Sequence, residues 1–159
     1  MPLTCQRGAN DEARLRLKTL RPRDLFPGIE PPEPAMAGLW LYFSCFDEAH
    51  ALADSCPTQD GEYWHAIVHR QEPDAWNSGY WFRRVGRHAI FPELARAAAE
   101  ISGEFQTGGW DPFAFIDFCQ QARTQPGSAR ERSALEIQRA EWQLLFDHCV
   151  APVSVRQSR

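Results

Sequence analysis

GLWLYFSCFDEAHALADSCPTQDGEYWHAIVHRQ, residues 38 to 71, decides the fold. LWLYFSCF is apolar on every side, which belongs inside a core. DEAHALAD then turns amphipathic at helical spacing. PTQDG supplies Pro57, Asp60 and Gly61, residue types that turns favour. In Glu62 to Gln71, Trp64, Ile67 and Val68 fall on one helical side. Pro73 ends that helix, because the residue before proline avoids the α region. The expectation is one helix from Pro34 to about Cys56, proline being acceptable in its first turn, joined by a short turn to an antiparallel partner.

Working outward, NSGYWFRRVG predicts a shorter helix stopped by Gly86. FPELARAAAEI predicts another, and TGG breaks the chain. WDPFAFIDFCQQAR starts with Asp111 as N-cap and Pro112 in the first turn. SARERSALEIQRAEWQLLFDHC opens with Ser128 and Glu131, a capping-box pair, and Pro152 stops it. No segment alternates with period two, and no Asn-Gly hairpin signal occurs. The fold class expected is all-α: a single compact domain of five or six helices over residues 35–150. Residues 1–34 read as an extended Pro-rich N-terminal arm, with Pro22, Pro27, Pro31, Pro32 and Pro34. In it a short helix over Asp11 to Leu20 is an option, and Leu25, Phe26 and Ile29 pin it to the body. Residues 151–159 read as a loose tail.

Composition excludes several functions. The net charge is −4 over 159 residues, so a general affinity for nucleic acid is not expected. The five cysteines are odd in number and contain no C-x-x-C pair, which speaks against a disulfide framework and a zinc ribbon. The first twenty residues carry Arg7, Arg14, Arg16 and Lys18 with no apolar core of a signal peptide, and AMAGLWLYFSCF is too short to span a bilayer. The expectation is a reducing, cytoplasmic setting without membrane contact. G-x-S-x-G, P-loop and G-x-G-x-x-G motifs are absent, which removes those routes to nucleophilic catalysis and nucleotide binding.

Chemistry concentrates just after the turn. His65 and His69 stand one helical turn apart, so their imidazoles can grip one ion. His50 shares a stripe of the preceding helix with Asp47 and Asp54, and an antiparallel hairpin would bring it to them. The metal candidates are therefore His65, His69 and His50, with Glu72, Asp47, Asp54 or His88 as a further donor. Such a set suits a divalent transition metal. Ala66 follows His65, so the zinc-protease motif H-E-x-x-H is missing. The alternative is that these histidines hydrogen-bond within a polar core layer. His148 reads as a favourable charge at a helix C-terminus.

Glu48 points toward Leu41, Cys45 and Leu52, an apolar setting in which a carboxylate needs a cation. Arg70, Arg83 and Arg84 are the expected partners; without one its pKa rises into a useful range for proton transfer. The candidate catalytic residues are Glu48, His65, His69 and Glu72. In the next block Arg70, Arg83 and Arg84 offer donors to an anion, Tyr80 and Trp81 offer stacking faces, and Asn77 and His88 complete a candidate substrate-binding set. The competing reading is a structural network in which Glu72 and Asp74 neutralise the arginines.

Trp64, His65, Ile67, His69, Arg70, Glu72, Asp74, Asn77, Tyr80 to Arg84, Gly86 and His88 form a block that resembles an uncharacterised bacterial and fungal protein family. That family carries W-H-x-I-x-H-R, then Glu, Asp and Asn, then Y-W-F-R-R, then Gly and His. GLWLYFSCFDEAHALA resembles the family's preceding helix, so the likeness covers residues 38 to about 91. It implies no activity.

The functional expectation is a small-molecule-binding protein, as an enzyme one that is metal-dependent and acts on a small anionic substrate through a His/Glu/Arg/aromatic pocket. The alternative is a non-catalytic binding or interaction protein whose polar-aromatic block is structural, with the proline-rich arm contributing to homo-oligomer contacts.

Overall fold

A computed structural model describes residues 2–4, 10–106 and 108–152. Among these the chain is all-helical: α1 (Asp11–Lys18), α2 (Pro22–Leu25), α3 (Glu33–Tyr42), α4 (Phe46–Asp54), α5 (Gln59–Gln71), α6 (Ala75–Val85), α7 (Phe91–Ile101), α8 (Pro112–Arg123) and α9 (Ala129–Val150). A single 3₁₀ turn, Gly103–Phe105, follows α7. The described residues thus hold nine α-helices rather than five or six. Two of the additions lie in the N-terminal segment, and one comes from a break in the long helix expected over Pro34 to Cys56.

That break is a helix stop built on Ser44, whose φ is +58°. The Ser44 N–H donates to Leu41 O (3.1 Å) and the Cys45 N–H to Trp40 O (2.9 Å). These are the two bonds of a Schellman ending, with serine where glycine is usual. The sequence offers no glycine or proline there to announce it. Other ends follow the local chemistry: Asp111 accepts from Phe113 N, Ser128 accepts from Glu131 N, and Gly86 closes α6 at φ +62°. The Glu131 side chain reaches back to Gly127 N (2.5 Å), one residue before the cap.

The N-terminal segment does not run as an extended arm between residues 11 and 25. α1 puts Leu17 into the core, while Leu25 and Phe26 pack against it, Phe26 edge-on to Phe146 at 6.1 Å. The tail expected over residues 153–159 lies outside the described residues.

The main core gathers Trp40, Trp64, Ile67, Trp142 and Leu145, from α3, α5 and α9. Gly38 allows the α3–α5 crossing, because a Cβ there would lie 2.6 Å from Trp64 Cζ2. A second cluster joins Phe115, Phe118, Cys119, Ala134 and Ile137, from α8 and α9. Between the two runs a sealed ion pair. The Arg70 guanidinium forks onto Glu141, Nη1 to Oε1 at 3.2 Å and Nη2 to Oε2, with both side chains fully buried. The Tyr63 hydroxyl donates to the same carboxylate at 3.1 Å, and Arg70 lies over the Phe115 ring at 4.6 Å. Burial, and then the Glu141 charge, push the Tyr63 phenol well above its ordinary range.

Candidate metal centre

His65 and His69 are carried by α5 one turn apart, and their rings stack at 4.8 Å with an interplanar angle of 15°. α4 folds back along α5 and brings His50 edge-on to both, at 4.8 Å from His65 and 4.9 Å from His69. One ligand atom from each of the three lies within 4.8 Å of the others. His65 and His69 are buried, whereas the His50 side chain is 32% exposed, so solvent reaches the trio from the α4 side.

Glu72, at the C-terminal end of α5, sits across that open side. Its Oε1 is 3.5 Å from His50 Nδ1 and its Oε2 is 3.0 Å from His69 Nδ1. Glu72 is thus the protein's own partner for His69 Nδ1. The buried Nδ1 of His65 makes no hydrogen bond among the described residues, its nearest carboxylate oxygen being 3.9 Å away. A buried polar atom left this way costs about 1–3 kcal/mol, which a bound ion or water would offset. Asp54 Oδ1 and Asp74 Oδ2 stand further out, each 3.9 Å from a histidine Nδ1.

Burial, and then the neighbouring His69 and His50, push the His65 pKa down to about 4. Burial, followed by His50, also lowers His69. Both imidazoles are therefore neutral near pH 7, the form in which histidine binds metal.

Trp81 closes one wall. Its ring stacks on His65 at 4.0 Å, and the Arg84 guanidinium lies 5.1 Å above the indole. Tyr80 meets Trp81 edge-on at 5.3 Å, and Trp76 stacks on Tyr80 at 6.3 Å. Trp81, Tyr80 and Arg84 thus border the histidine trio as a group on α6.

The remaining candidates scatter. Glu48 meets neither Arg70, Arg83 nor Arg84. It binds Arg14 Nε at 2.6 Å and Lys18 Nζ at 3.2 Å, clamping α1 onto α4. Burial alone would raise the Glu48 carboxyl, but hydrogen bonds from Arg14 and Lys18 bring it below its ordinary value. Arg70 is sealed against Glu141, away from the trio. Arg84 also pairs with Glu62, and Asn77 donates to its own helix cap, Asp74 (Nδ2 to Oδ2 2.6 Å). Arg83 is exposed and makes no ion pair among the described residues.

His88 belongs to a different cluster altogether. Its Nε2 lies 2.9 Å from Asp60 Oδ1, and His148 Nε2 lies 3.5 Å from the same oxygen. Sequence reasoning missed Asp60 and His148 as site residues. Asp60 read as a turn former and His148 as a dipole partner; no spacing rule joins residues so far apart.

No family model, no curated protein and no solved structure matches this chain. Site geometry therefore carries the functional reading.

Proposed function

We propose that this protein is a metalloprotein in which His50, His65 and His69 bind one divalent transition ion of the zinc class. The supporting observation is the trio itself: three imidazoles converge from two helices, each offering a nitrogen within 4.8 Å of the others, and the buried Nδ1 of His65 lacks a hydrogen bond. Three histidines with an open side resemble the donor set of catalytic rather than closed structural zinc sites. A bound ion would supply Lewis acidity toward a water or an anion at that side. Glu72 stands within reach of both His50 and His69 and is the group placed to take or return a proton there. Trp81 shields the trio, and Arg84 over its ring is held by Glu62, so a small anion is proposed as a ligand of the ion itself.

The test is metal analysis of untagged protein, followed by zinc titration of chelator-stripped protein. The expected result is a bound equivalent that disappears in the His65→Ala/His69→Ala variant. A wild type whose zinc stoichiometry equals that of the double variant would overturn the reading.

A second reading is a non-catalytic binding protein whose polar-aromatic block is structural. It is favoured by the internal pairing of Arg70 with Glu141, Arg84 with Glu62, Asn77 with Asp74 and His88 with Asp60. Thermal shift against a panel of small anions, with turnover followed in parallel, separates the two: stabilisation without turnover favours binding alone.

A further inference from the structure

Asp60, His88 and His148 stand at the other end of α5, outside the histidine trio. Asp60 lies in the first turn of α5, His88 in the segment between α6 and α7, and His148 in the last turn of α9. Each offers one ligand atom within 4.8 Å of the other two. The His88 and His148 rings meet at 5.0 Å and 68°, so both Nε2 atoms converge on Asp60 Oδ1. Shielding is substantial: the side chains of His88, His148 and Asp60 are 1%, 11% and 13% exposed. His148 also lines a cavity of about 520 Å³ between α7 and the end of α9. On its wall Glu93 pairs with Arg96 at 3.5 Å, which leaves the Asp147 carboxylate beside His148 as the excess charge. An opening of that charge favours entry of a cation.

From this geometry we infer a second divalent-metal site, with Asp60, His88 and His148 as ligands and His148 linking it to the cavity. Two histidines and one carboxylate on one side of an ion leave positions for water or an exchangeable ligand, and the set suits iron(II), manganese, cobalt or zinc. The cavity gives the ion its path and gives a second ligand its room.

The Ile90 N–H points at His88 Nδ1 at 3.4 Å, which leaves the ring proton on Nε2, the nitrogen aimed at Asp60. Binding an ion at Nε2 moves that proton to Nδ1, so the ion takes the place of the His88–Asp60 hydrogen bond.

Cobalt(II) titration of the chelator-stripped full chain, followed by calorimetry and d–d absorption, tests this. Two equivalents bind to wild type. Asp60→Asn keeps an acceptor for His88 but removes the charge, and His148→Gln removes one nitrogen while retaining volume. Each is expected to lose one equivalent only, with unchanged circular dichroism. His65→Ala/His69→Ala is expected to lose only the other one. A single equivalent in wild type that vanishes with the double variant overturns the second site and leaves the trio standing. A single equivalent that survives the double variant and vanishes with Asp60→Asn overturns the trio instead. Two equivalents untouched by both Asp60→Asn and His148→Gln also overturn the second site.

Discussion

His65 shows at the level of one residue how position sets chemistry. A free imidazole titrates near 6.5, but burial beside two other imidazoles brings this one to about 4. Between those values the unfolded chain holds a proton that the folded chain does not, so acid favours unfolding. The metal-free protein is therefore expected to be fully stabilised above about pH 6.5 and to lose stability as the pH falls to 4. The contribution from His65 is about 3 kcal/mol. Urea midpoints measured from pH 4 to 7 on wild type and His65→Gln check it: equal slopes in both would refute the assignment. Glu72 is a second residue-scale test. Glu72→Gln is expected to weaken zinc binding about 10–100-fold, as loss of a carboxylate beside metal-binding histidines does. The side chain is 33% exposed, and the melting temperature of the metal-free protein should hardly move. A large drop in that temperature with unchanged affinity would make Glu72 a structural residue.

Among the elements, the α3–α4 junction has the most to say about the site. Had the chain stayed helical from Pro34 to Cys56, α4 would have continued the axis of α3. The Schellman ending at Ser44 instead redirects α4, and His50 comes to lie against α5. A positive φ suits glycine and strains a branched side chain. Ser44→Gly is expected to stabilise the protein by up to about 1 kcal/mol, and Ser44→Val to destabilise it by about 1–2 kcal/mol. Chemical denaturation reads both, and zinc affinity should follow Ser44→Val downward, because the junction sets where His50 stands. A destabilising Ser44→Gly together with a neutral or stabilising Ser44→Val would show that the junction does not depend on the positive φ of Ser44.

For the whole molecule, the Arg70–Glu141 pair fastens α5 to α9 across the boundary of the two apolar clusters. Both charges are fully buried, so removing one leaves the other without compensation. Glu141→Gln is expected to cost about 3–5 kcal/mol in unfolding free energy, and the Arg70→Met/Glu141→Leu pair clearly less than the sum of its single changes. A double-mutant cycle in urea measures the coupling, and additive costs would deny it. No helix among the described residues is long and apolar enough to cross a membrane.

Local rules were enough to read the all-helical class, the caps at Asp111, Ser128 and Gly86, and the placement of His65 beside His69. Each of these depends on residues at most a few positions apart, where helix geometry leaves little choice. LWLYFSCF, by contrast, is buried only in part, with Tyr42 54% exposed. The break at Ser44 escaped such reading because tertiary packing, rather than a glycine or proline, holds its left-handed conformation. Partner choice escaped it too. Glu48 took Arg14 and Lys18, Arg70 took Glu141 across 71 positions, and His88 left the arginine block for Asp60 and His148. A buried charge pairs with whatever cation or carboxylate the packing of helices delivers, and that delivery is a property of the assembled core. Local spacing thus specifies most of the helices and the chemistry they carry, whereas which side chains meet depends on how the apolar faces of distant segments close on one another.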